Sequence, residues 1–193
     1  MKTYTRAYDN YDQAQRAVGD LEKIGIPSAD ISLVANKYVS EDYADVDDVS
    51  AASSGAGIGA TLGGGAGLLA GLGLMAIPGL GPVVAVGWLA STLVGAAAGS
   101  VTGGIIGALV DGGTSEGDAH VYSEAVRRGG TLVTVRTELQ SDKIDAVLDG
   151  YRPIDPSMRR TEYEKSGWSG FDPEAPAYRP DESEVERARR KYG

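Results

Sequence analysis

The chain has 193 residues, with 18 Lys and Arg against 27 Asp and Glu, a formal charge of −9. That balance argues against the basic face a nucleic-acid binder needs. The absence of cysteine excludes disulfides, thiol catalysis and Cys-ligated metals, and the single histidine, His120, excludes most two-His metal motifs.

The charge is unevenly spread. No Asp, Glu, Lys or Arg lies between Asp48 and Asp111, so residues 49–110 are 62 uncharged positions, and they hold 17 of the 28 glycines. Four zones follow: a charged half over 1–48, the uncharged insert over 49–110, a second charged half over 111–155, and a tail over 156–193.

The start, Met1 to Arg6, has no apolar run behind it, and Asp9 and Asp12 follow at once. This predicts no targeting signal and a cytoplasmic charged part. Residues 3–8, rich in Thr and Tyr, read as a strand with Tyr4 and Tyr8 on one side. Asn10 with Gln13 three residues on is a helix start. Tyr11, Ala14, Val18 and Leu21 recur at helical spacing, and Gly25 and Pro27 end the helix. Residues 31–35 read as a second strand. The acidic run Glu41, Asp42, Asp45, Asp47 and Asp48 lacks the spacing of a calcium loop and reads as a hydrated spacer.

The insert carries the strongest pattern. Gly55, Gly59, Gly63, Gly67 and Gly71 fall every four residues, and Gly87, Ser91, Gly95, Gly99, Gly103 and Gly107 repeat the spacing. Between them lies a turn of breakers, Pro78, Gly79, Leu80, Gly81 and Pro82. The reading is a hairpin of two helices, 53–77 and 83–110, each about 36–42 Å long. Interior glycine costs a soluble helix about 0.8–1 kcal/mol per residue. A stripe of it therefore implies a purpose: a side-chain-free ridge that another backbone can approach closely. A dinucleotide loop is a poor alternative, because Gly55-Ala-Gly57-Ile-Gly59-Ala60 follows no strand. A phosphate loop would need a Lys, and the insert has none.

Two placements of the hairpin remain open. Each helix is long enough for a bilayer core of about 30 Å, yet weakly hydrophobic for a span. In one placement the hairpin enters the inner membrane with both chain ends on the cytoplasmic side. In the other, hairpins from several copies bury one another in a soluble homo-oligomer.

Beyond the insert, Ser115 with Asp118 starts a helix whose apolar face is Ala119, Tyr122 and Val126. Residues 131–136 are the clearest strand. Residues 142–149 form a helix with Ile144, Val147 and Leu148 inward, and a short extended piece near 152–155 is a candidate last strand. With the insert and its trailing helix set aside, the order is strand, helix, strand, strand, helix, strand. That is an α+β, ferredoxin-like split βαβ domain, interrupted by a Gly-rich helical hairpin. Its sheet would have one face under helices and one open. The tail, rich in proline, reads as mostly extended with a terminal helix over 181–191; Trp168 and Phe171 are candidate anchors for docking it.

Residues 8–14, the Gly25-Ile26-Pro27 and Asp30-Ile31-Ser32 steps, the turn over 78–82 and residues 126–135 together resemble the bacterial general stress protein 17M-like family. The resemblance covers about 1–151, and its motifs occur in order. It implies a stress-induced bacterial protein with no catalytic residues to carry over. The expectation is therefore a non-enzymatic protein that self-associates through a glycine zipper at the membrane, or alternatively as a soluble assembly. No cofactor, metal or small-molecule substrate is expected; the expected partners are a second copy and lipid.

Overall fold

A computed structural model describes residues 2–36, 73–77, 80–90, 92–93, 104–139 and 141–176. Strand β1 (Lys2–Tyr8) leads into helix α1 (Tyr11–Lys23). The Asn10 side chain accepts a bond from the Gln13 N–H and caps the helix. A short 3-10 turn, Ser28–Asp30, enters β2 (Ile31–Asn36). Then come β3 (Gly73–Ile77) and β4 (Gly81–Val86). Helix α2 (Gly104–Asp111) follows, and then α3 (Glu116–Arg127), capped by Ser115. Strand β5 (Thr131–Thr137), helix α4 (Ser141–Gly150) and helix α5 (Pro156–Lys165) complete the order.

The strands form one antiparallel sheet in the order β1-β5-β2-β4-β3. β1 and β2 are joined through α1 and run parallel, with β5 antiparallel between them. The register sets Thr5 and Ser32 on either side of Thr134, and Ala7 and Val34 on either side of Leu132.

Alternation then decides which side chains meet which helices. Tyr8, Ile31, Leu33, Ala35, Val133 and Val135 pack under α1 and α4, against Val18, Leu21, Ile144 and Leu148. Tyr8 is fully buried, and its hydroxyl donates to the Leu148 carbonyl. Burial pushes the Tyr8 hydroxyl above its usual range and the Tyr11 hydroxyl up to about 12. At the wet end of this face Arg6 reaches Asp145 at 2.9 Å and Asp149 at 2.8 Å.

The second face is covered as well. Ala7, Val34, Val83, Ala85 and Leu132 pack under α3 and α2, together with Leu89 and Leu93. The expected open face is therefore closed, and the trailing helix that the topology reading set aside, α3, is one of its covers. Tyr8 belongs to the core between the sheet and α4.

Three further expectations are corrected. The two long helices over 53–77 and 83–110 do not form as read. Residues 73–77 and 81–86 are strands, and 81–86 pairs directly with β2. Gly81 to Val86 holds three valines, whose branching favours a strand. Two short apolar runs separated by a Pro-Gly step also make a β-hairpin signal. Near 152–155 there is no strand; one bond, from the Ile154 N–H to the Ala7 carbonyl at 2.7 Å, touches the outer edge of β1. Finally, the tail begins as a helix: Pro156 sits in the first turn of α5, and Asp155 caps it by accepting from the Met158 N–H. The acidic run over 41–48 and the 181–191 helix lie outside the described residues.

Candidate functional site

The glycine pattern and the tail were the sequence's candidates. Gly55, Gly59, Gly63, Gly67, Gly71, Ser91, Gly95, Gly99 and Gly103 lie outside the described residues, as do Pro78 and Gly79. Gly81 and Pro82 open β4 rather than joining two helices. Leu80, fully buried, occupies the turn, and its carbonyl lies 3.5 Å from the Asn36 Nδ2.

Gly87 and Gly107 are the zipper positions that can be inspected, and they differ. Gly107 lies in α2, and a side chain there would meet open space. Gly87 lets two backbones approach, but its neighbour is β2 and not a helix ridge. A Cβ at Gly87 would stand 1.9 Å from the Ile31 carbonyl oxygen and 2.6 Å from Ser32 Oγ. Its φ of +84° also suits glycine. The chain thus leaves β4 and turns at once into helical residues, 88–90 and 92–93. There Ser32 Oγ accepts the Leu89 N–H at 2.9 Å.

That junction lies beside a polar row on the second face. Thr5, Thr134 and Ser32 sit side by side across three strands. Thr114 reaches Thr5 hydroxyl to hydroxyl at 3.1 Å. One step outward, the Arg136 guanidinium stacks on the Trp88 ring, 4.4 Å from its centroid, with Asp30 at 3.8 Å. The Thr134 hydroxyl, the Trp88 indole N–H and the Arg136 Nε are buried without a hydrogen-bond partner among the described residues. No spacing rule pointed to this row; in the sequence Ser32 and Thr134 are single hydroxyl residues set among apolar neighbours in β2 and β5.

The tail is held against α3. The Arg128 guanidinium lies 4.2 Å over the Tyr163 ring, and Trp168 meets Tyr163 edge-on at 5.6 Å. Phe171 packs on the core under α3, and its backbone N–H donates to His120 Nδ1 at 3.1 Å. Arg127 donates to the Pro176 carbonyl. Both arginines are fixed by Glu124, which is only 1% exposed and accepts from Arg127 and Arg128. The hydrogen bonds that Arg127 donates to that carboxylate raise the Arg127 pKa. Burial raises the Tyr163 hydroxyl. Trp168 and Phe171 therefore both lie in the docked segment, although Tyr163, which sits between the arginines and Trp168, was not singled out in the sequence.

His120 accepts from the tail, and Glu124 accepts from two arginines. Among the described residues no group of three or more His, Asp or Glu converges as metal ligands would. Among the same residues no helix is long and apolar enough to cross a membrane. No family model, curated protein or solved structure matches the chain.

Proposed function

We propose that this is a non-enzymatic protein that self-associates through its uncharged, glycine-rich stretch, as a homo-oligomer whose α/β domains carry the charge. One observation carries the reading. β4 joins the sheet beside β2, β3 ends the sheet, and α2 packs on the second face, so the described parts of the uncharged stretch belong to the domain. Of the two placements left open by the sequence, this favours the assembly over the membrane hairpin. Residues 81–90, 92–93 and 104–111 belong to the domain, and the ten residues 94–103 would span only about 15 Å as a helix. A bilayer core needs about 30 Å.

The ferredoxin-like relation is also a reading. It rests on β5 between β1 and β2, with the fourth strand reduced to the Ile154 contact and two strands added beyond β2. The stress-response setting rests on the motif resemblance alone.

Sedimentation of the full chain in detergent-free buffer tests the function. The expected result is a discrete multimer, with carbonate washing any membrane-bound fraction into solution. Gly63→Leu combined with Gly99→Leu should break the multimer. A monomer at all concentrations, or a multimer indifferent to those leucines, would refute the zipper reading.

A further inference from the structure

The two ends of the sheet are finished differently. The β1 edge carries Lys2 and Arg6 and is met by the Ile154 N–H. Charge and a covering segment are the usual protections of an edge strand. The other edge is β3, Gly-Leu-Met-Ala-Ile, hydrogen-bonded to β4 on one side and last in the sheet order on the other. It has no charge, no proline and no partner strand among the described residues.

Pro82 sets the phase of this edge. In the ladder Ala76 faces Pro82, Met75 faces Val83 and Leu74 faces Val84. Proline has no N–H, so a paired strand tolerates it where its nitrogen points away from the neighbour. Ala76 and Pro82 are then a non-hydrogen-bonded pair. Because the pattern alternates, so are Leu74 and Val84. The N–H and C=O groups of Leu74 and Ala76 consequently point away from β4, along the edge that carries no partner strand among the described residues.

That arrangement is self-complementary. Resting on the self-association reading above, we propose that β3 supplies one interface of that assembly, beside the glycine repeat, by pairing antiparallel with β3 of a second copy about a two-fold axis at Met75. Leu74 of one copy then faces Ala76 of the other, and the two such pairs exchange four backbone hydrogen bonds. Met75 faces its own counterpart at a non-hydrogen-bonded position. Charge selects the occupant. Each chain carries −9, yet its acids lie outside residues 49–110, so two uncharged edges meet without like-charge repulsion. The result is a closed, isologous dimer with a continuous ten-stranded sheet.

The absence of native cysteine makes the test clean. Facing residues at such a position have Cα atoms about 4.5 Å apart, inside the disulfide window of about 4.4–6.8 Å. Under mild oxidation of the full chain, Met75→Cys should form a covalent dimer rapidly. Leu74→Cys is displaced two residues from its own counterpart and should link far more slowly, as should Met158→Cys on an exposed helix position. Separately, Ala76→Pro removes an outward N–H and leaves the β4 ladder intact. It should weaken the dimer about tenfold, since two-fold symmetry counts the loss twice. Equal linking at all three sites would mean random collision and overturn the proposal. A multimer by sedimentation without the Met75→Cys link would overturn edge pairing and leave self-association standing. A monomer without the link would overturn both.

Discussion

The two faces of the sheet are covered by different kinds of chain. Under α1 and α4 the cover is local, because each helix follows directly on a strand of the face it packs against. Under α2 and α3 the cover is gathered from distant pieces: the uncharged stretch, the helix after it, and the tail laid on α3. The first face is apolar through the centre. The second keeps Thr5, Ser32 and Thr134 buried, and the Ser32 hydroxyl is spent on a backbone N–H of the incoming stretch. Local amphipathic helices seal a face by area alone. A segment brought in from afar needs specific junctions.

That contrast can be broken at the junction first. Gly87→Val should cost about 3 kcal/mol or more. It combines a positive-φ strain of about 1–3 kcal/mol with an overlap that only the Ile31 backbone can relieve. Urea denaturation would read it, and a stability change below about 1 kcal/mol would show that the stretch does not dock there. On the first face Leu148→Ala should cost about 2–4 kcal/mol, as a fully buried leucine removed from a closed core. The Trp88 fluorescence, which belongs to the second face, should stay unchanged in the folded variant.

A smaller effect sharpens the comparison by pH. The folded chain holds the Tyr8 and Tyr11 protons to higher pH than the unfolded chain, where tyrosine ionises near about 10. The contribution of these two tyrosines to stability should therefore be complete below about pH 10 and fall as the pH rises from about 10 to 12, because the unfolded state gives up protons the folded state keeps. Tyr11→Phe should shallow that fall. An unchanged alkaline limb would argue against burial of that hydroxyl.

The first face was largely legible in the sequence. Asn10, Tyr11, Ala14, Val18 and Leu21 announce α1 because a helix with one wet side must alternate at 3.6 residues. The second face was misread for the opposite reason. A stretch without charged residues shows no polar face in its sequence, so the period that separates helix from strand is lost beneath a four-residue glycine repeat. The overlooked signals were local: the branched run at Val83, Val84 and Val86, and the Pro-Gly step between two short apolar segments. Trp168 and Phe171 stood out as aromatic residues in a polar tail. The row built by Thr5, Thr134 and Ser32 could not stand out, since only strand order brings residues 102 positions apart into line.

The central claim is that the uncharged stretch supplies two strands to the charged domain. Nuclear magnetic resonance of the labelled full chain tests it most directly. The account predicts extended-backbone carbon shifts over 73–77 and 81–86, with cross-strand contacts between Val34 and Ala85. Helical shifts running unbroken through both segments, with no contact to β2, would contradict it.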